Sequence, residues 1–279
     1  MHVLAWSFLP DGSANAAVFL LLGSASAMLM SIAKAGFGGS VGILSLPLMV
    51  YACGGNAILA AGVMLPLLIA CDYVAIVPWR GKWSLRAVGL LLPGAVLGVG
   101  LGWAALWGFK QLGVDKGHKG VTDACLTMSI GAISLLFVVL QAVRAIRSKP
   151  LTFRPVLWQG TCVGAAAGLT STLAHAAGPI VSMYMLPQGM QKGQFVASTV
   201  LYYWIGNQLK VVPYVALGML SAGTLGASLA LLPAVVAGTL LGLLLHHRAP
   251  QRSFMGIVYV LLALAGAHLV FTAAEKLWF

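Results

Sequence analysis

Two stretches of this chain combine a broken backbone with polar side chains inside apolar sequence. The first, Ser31 to Ser40, carries Lys34, Gly36, Phe37, Gly38 and Gly39. Three glycines in four positions weaken a helix and allow a ligand to approach the backbone closely. A helix that restarts after Gly39 would aim unpaired N–H groups and its positive dipole end at the break, where an anion fits. The second, Thr170 to Pro179, carries Ser171, Thr172, His175 and Gly178. Pro179 suits the first turn of a following helix, and Ser171, Thr172 and His175 share a face at helical spacing. Both breaks also fit a plainer reading, close helix packing through small residues. Lys34 must be paired or solvated if it is buried, or it snorkels to the surface. His175 is a candidate for binding substrate or a proton, with a structural role as the alternative.

A second constellation is Asp72 and Lys210. Asp72 is the only acid well inside an apolar run, and Asn207 stands one turn before Lys210 on the same helical face. Lys210 and Asn207 are candidate anion ligands, and Asp72, with His175, is a candidate proton carrier. A static ion pair is the competing reading. The pair His246 and His247 lies beside Arg248 with no third ligand near, so it is read as loop chemistry rather than a metal site. No Walker loop or His-Glu-x-x-His motif occurs, so neither ATP hydrolysis nor metal-dependent proteolysis is indicated. No catalytic residue, metal or cofactor is expected.

The elements that must position these residues are apolar. The 279 residues are 60% hydrophobic and 8% charged, with mean hydropathy +0.97. A soluble domain carries about 25% charged residues, so lipid must face most of this chain. Apolar runs lie near 16–33, 41–53, 57–77, 87–109, 124–143, 156–174, 180–186, 195–217, 222–245 and 254–273. Six or seven satisfy the roughly 20 residues of a full crossing. The runs 41–53 and 180–186 are short, and each follows a Gly-rich break. The net charge of +11 sits in clusters between apolar runs, which argues against nucleic acid and for cytoplasmic loops. Those loops are 78–86 (Arg80, Lys82, Arg86), 144–155 (Arg144, Arg147, Lys149, Arg154) and 246–253 (Arg248, Arg252). The loop 110–123, with Lys110, Lys116 and Lys119 offset by Asp115 and Asp123, falls on the other side with both termini. No cleavable signal peptide is expected, and Cys53, Cys71, Cys125 and Cys162 are read as isolated packing residues.

Sliding the sequence against itself by 140 residues aligns Gly38 with Gly178, Pro47 with Pro187, Pro93 with Pro233, Gly98 with Gly238 and Gly102 with Gly242. Glycine and proline mark backbone geometry that a duplicated fold must keep, although two leucine-rich halves can align by accident. The expectation is an all-α polytopic membrane protein of two repeats, 1–140 and 141–279, in one membrane domain. Five segments per unit is an odd number, which inverts the second copy relative to the first. Inverted repeats tend to hold their site near the midplane, where the broken helices of the two halves meet.

These residues resemble a known family. Lys34 through Gly39, Ile43 to Leu48 with Pro47, Leu65 to Asp72 and Leu92-Pro93-Gly94 are similar to the first half of the sulfite exporter (TauE/SafE) permeases. Thr170 to Pro179, Tyr184 to Pro187 and Leu209 to Tyr214 are similar to the second half. The likeness covers about residues 15 to 275. It implies a duplicated permease that moves sulfite, sulfonates or other small organic anions without an ATPase. Lys34, Gly36, Gly38, Gly39, Asp72, His175, Gly178, Pro179 and Lys210 fall on recurrent positions of that pattern. Ser40 and Ala177 depart from it, at positions where further glycine is frequent. The resulting expectation is a multi-pass secondary transporter of the bacterial cytoplasmic membrane, working by alternating access with or without proton coupling. A passive anion channel and a membrane-embedded sulfur-handling enzyme are the alternatives. The expected partners are a small anion and the bilayer, and self-association is left open.

Overall fold

The computed structural model describes residues 15–39, 42–115, 120–146, 155–248 and 251–278. Ser40, the loop residues Lys116, Lys119, Arg147, Lys149 and Arg154, and the segment 1–14 lie outside the described residues.

Among the described residues the chain is helical throughout: α1 Ala16–Phe37, α2 Ser45–Ala52, α3 Ala57–Ile76, α4 Leu85–Asp115, α5 Gly120–Ile146, α6 Leu157–Ala174, α7 Ala177–Met185, α8 Lys192–Ala216, α9 Ala222–Arg248 and α10 Gln251–Trp278. A 3-10 turn at Gly42–Leu44 leads into α2, and another at Leu186–Gln188 closes α7. The two short elements, α2 and α7, both follow a break, and each stands second in its half of the chain.

Local chemistry sets several boundaries. Asn15 caps α1 by accepting from the Ala17 N–H at 2.9 Å, and Asn56 caps α3 by accepting from the Leu59 N–H at 2.9 Å. A side-chain acceptor satisfies one of the four N–H groups that every helix start leaves unpaired. Asp123, on α5, reinforces α3 by accepting from the Ala57 N–H at 2.6 Å. Both long helices that precede a break end in the left-handed region, α1 at Gly38 with φ 68° and α6 at His175 with φ 49°.

Helices α1, α3, α4, α5 and α9 are long and apolar enough to cross a membrane. Helix α8, at 25 residues, has the length, but its run includes Lys192, Gln194, Asn207, Gln208 and Lys210. Large apolar side chains point outward along the long helices, including Leu101 and Trp107 on α4, Leu136 and Val139 on α5, and Leu229 and Leu244 on α9. Lipid is the solvent that such a surface needs. The chain is an all-α, multi-pass membrane protein.

Helix α3 is central. Of its most apolar stretch 61% is buried, against 33–44% for the other four, so it faces protein where they face lipid. The most extensive helix contacts are α4 with α6 and α1 with α9, followed by α5 with α10. Exchanging the two halves of the chain maps the first pair onto the second and the third onto itself. Glycines make both large crossings. A Cβ on Gly94 or Gly98 would stand 1.9 or 2.1 Å from the Thr161 or Ala165 carbonyl of α6. Likewise a Cβ on Gly36 would meet the Gly242 carbonyl at 2.4 Å, and one on Gly242 the Ile32 carbonyl at 2.7 Å.

The aligned glycines and prolines occupy unequal places. Pro93 and Pro233 both lie inside their helices, and Gly98 and Gly238 both sit in the large crossings. Pro47 stands in the first turn of α2, whereas Pro187 belongs to the turn that ends α7. At the breaks, the left-handed cap that answers Gly38 is His175 and not Gly178. His246 also departs from the expected loop. It is a buried residue of α9 whose Nδ1 lies 2.7 Å from the Gly36 carbonyl, with its ring edge-on to Trp79 at 4.9 Å. The reason is that α9 continues to Arg248. The four cysteines are free. Cys53 and Cys71 are buried, while Cys162 is exposed on the outer side of α6.

Candidate functional site

Helix α8 supplies the polar wall of the site. Its residues Tyr203, Asn207 and Lys210 recur at intervals of four and three and so lie on one face. That face meets the ends of both broken helices. The Tyr203 hydroxyl donates to the Gly38 carbonyl at 2.9 Å, the Lys210 ammonium to the Ser171 carbonyl at 3.3 Å, and the Tyr214 hydroxyl to the Thr172 carbonyl at 2.9 Å. The last carbonyls of a helix have no partner of their own. Here α8 donates to three carbonyls, one at the break after α1 and two at the end of α6, which lets both helices stop inside the protein.

Lys34, in the last turn of α1, does not reach the surface. Its side chain is 6% exposed and its Nζ stands 2.5 Å from Asp72 Oδ1. It also approaches the Leu68 carbonyl at 3.4 Å and lies over the Tyr203 ring, 5.4 Å from the centroid. Asn207 donates from Nδ2 to the other Asp72 oxygen at 2.6 Å. Asp72 thus faces an ammonium on one oxygen and an amide donor on the other. A buried pair needs such hydrogen bonds to offset the loss of water.

Lys210 is fully buried and has no carboxylate partner among the described residues. Its Nζ donates to Ser171 Oγ at 3.0 Å and stands 3.0 Å from His175 Nδ1. His175 Nε2 lies 3.2 Å from the Ala61 carbonyl. The two contacts define the ring. An imidazole that accepts at Nδ1 from an ammonium carries its hydrogen on Nε2 and gives it to Ala61. His175 is also the one non-glycine residue with positive φ among the described residues. Left-handed backbone costs a side chain roughly 1–2 kcal/mol, and such strain persists where the surroundings over-determine it. Gly38 takes the same conformation without that cost.

These groups surround one small, partly open cavity lined by Lys34, Ser171, His175, Tyr203, Asn207 and Lys210, together with Met30, Gly39, Gly42, Ser45, Leu68, Ala177 and Gly178. Its free volume is about 30 Å³, and a water needs at least about 10–15 Å³, so it has room for a few small groups. Helix α7 begins at Ala177 with no side-chain cap. Its first two residues, Ala177 and Gly178, therefore bring a positive helix end to the cavity wall.

Of the residues singled out by sequence, the cavity gathers Lys34, Gly39, Ser171, His175, Gly178, Asn207 and Lys210, with Asp72 directly behind Lys34. The remainder lie off the cavity wall. Gly36 belongs to the α1–α9 crossing. Thr172 faces α4, where a Cβ on Gly102 would stand 2.5 Å from its Cβ. It cannot share a wall with Ser171, because adjacent helical residues point about 100° apart. Phe37 and Pro179 are buried outside the lining, and Gly38 contributes its carbonyl to Tyr203. Tyr203 and Ser45 were missed. The signal for Tyr203 was available, since it lies four residues before Asn207 on the face that carries Lys210. Ser45 offered none, being one serine in an apolar run. Among the described residues no cluster of His, Cys, Asp and Glu could hold a metal ion.

No curated protein and no solved structure matches the chain. The family model described as sulfite exporter TauE/SafE matches residues 19–269, which include every residue of the cavity. The chain belongs to the sulfite exporter TauE/SafE family, and it is a membrane transporter rather than an enzyme.

Proposed function

We propose that this protein is a secondary transporter of the bacterial cytoplasmic membrane that carries a small anion such as sulfite, a sulfonate or a small organic acid. The observation that carries this reading is Lys210, a buried lysine with no carboxylate partner among the described residues, in a cavity where both broken helices meet. An unpaired charge in such a place is costly, and an anionic ligand removes the cost. The uncapped start of α7 adds positive partial charge on the same wall. The roles assigned to Lys34, Gly39, Ser171, His175, Gly178, Asn207 and Lys210 follow from this placement.

The exchange symmetry of the helix contacts supports two repeats, 1–140 and 141–279, with inverted orientation, one rocking against the other around the site. The proton shared between Lys210 Nζ and His175 Nδ1 is the natural candidate for coupling. Asp72, already held by Lys34 and Asn207, serves as counter-ion.

The test is flux of radiolabelled sulfite, sulfonates and small carboxylates in proteoliposomes. Uphill, saturable movement of one of them, lost in Lys210→Ala, is the expected result. A steep passive current without saturation would replace the carrier with a channel, and no movement of any anion would end the reading.

A further inference from the structure

The charges around the cavity define more than the sign of the ligand. Lys34 and Asp72, in contact at 2.5 Å, form a neutral unit when both are ionised. Lys210 and His175 contribute +1 between them. Two charged donors would repel across 3.0 Å, and an ammonium donating to a neutral ring satisfies the contact. The same total holds if the proton moves to the ring. No other described side chain on the cavity wall is an acid or a base of the Asp, Glu, Lys, Arg or His kind. With Lys210 protonated, the site holds one excess positive charge in surroundings that screen charge poorly.

We infer that this transporter selects its ligand by charge number, taking singly charged oxyanions and rejecting doubly charged ones, and that Asp72 is the residue that determines this. The inference rests on the proposed function and adds the substrate class to it. A monoanion brings the four side chains and the ligand to neutrality. A dianion of similar size leaves one negative charge uncompensated and pays its larger dehydration as well. Without Asp72, Lys34 and Lys210 would present two positive charges to the same space, and the balance would move to the dianion.

Methanesulfonate and sulfate test this, because both are compact tetrahedral oxyanions with fixed charges of one and two across the neutral pH range. Influx of each is measured into proteoliposomes with the membrane potential clamped at zero, so that the driving force does not depend on charge. The wild-type protein should prefer methanesulfonate by at least about tenfold. Asp72→Asn should lower that ratio by at least about tenfold. The double variant Lys34→Met/Asp72→Asn restores the excess of one charge and should keep the wild-type preference. It also leaves no ion newly unpaired, since Lys34 and Asp72 are removed together, so it remains informative if Asp72→Asn does not insert stably.

Similar rates for the two anions in the wild type would overturn the inference while leaving the transporter reading intact. So would a double variant that transports but has lost the preference, since selectivity would then come from contacts with Lys34 or Asp72 and not from the total. Failure to move any anion would overturn the proposed function, and this inference with it.

Discussion

Tyr203 donates its hydroxyl hydrogen to the carbonyl of Gly38 at 2.9 Å, and its oxygen lies 3.4 Å from the carbonyl of Gly178. One hydroxyl from α8 thus stands between the two breaks. It has a single hydrogen to offer, so the carbonyls compete for it, and a small shift of either half changes which one is served. Tyr203→Phe keeps the ring against Gly39 and over Lys34 but removes this tie, which is worth about 1 kcal/mol. The expected outcome is maximal flux lower by about fivefold, with half-saturation for the anion changed less than about twofold. Saturation curves in proteoliposomes check it, and a purely affinity-based effect would contradict it.

Lys210 should destabilise the empty protein that it serves. It is buried with no carboxylate partner among the described residues, so its replacement by an apolar side chain of similar length removes a desolvated charge. Lys210→Met is expected to unfold at a higher temperature than wild type in detergent while losing anion transport by at least about a hundredfold. It should also lose the thermal stabilisation that a bound anion confers on wild type. Thermal unfolding with and without sulfite measures both. A lower melting temperature would mean that Lys210 is structural.

His175 holds a conformation that glycine adopts freely. His175→Gly removes roughly 1–2 kcal/mol of backbone strain together with the proton partner of Lys210. Stimulation of anion uptake by a pH gradient should disappear in this variant, and His175→Ala should be less stable than His175→Gly. Both follow from uptake measured with and without an imposed gradient, alongside melting curves. Stimulation that persisted would move proton coupling away from this pair.

Glycine in the long helices divides into two groups with opposite expected behaviour. Gly94→Ala places a methyl 1.9 Å from the Thr161 carbonyl. Helices α4 and α6 would have to separate, costing about 1–3 kcal/mol. Gly89→Ala and Gly100→Ala meet nothing within 4 Å and gain up to about 1 kcal/mol from helix propensity. Melting temperatures of the three variants decide between these directions.

The amino-acid sequence determined the membrane class by itself, because so few charges leave lipid as the only solvent for the surface. It also located the helices to within a few residues. The two breaks were visible as Gly-rich stretches between apolar runs. What one dimension could not carry was pairing across it. Asp72 and Lys210 look like partners in sequence, yet the carboxylate takes Lys34 and Asn207, and Lys210 takes His175 and Ser171. The same limit hid the second use of glycine, since Gly36 and Gly39 read alike until a neighbouring helix distinguishes crossing from cavity. Which side chains face each other depends on how helices rotate about their axes and on which ends meet. Those angles are set by packing among residues more than a hundred positions apart, so only the tertiary structure decided that Lys34, His175 and Lys210 would line one cavity between the two broken helices.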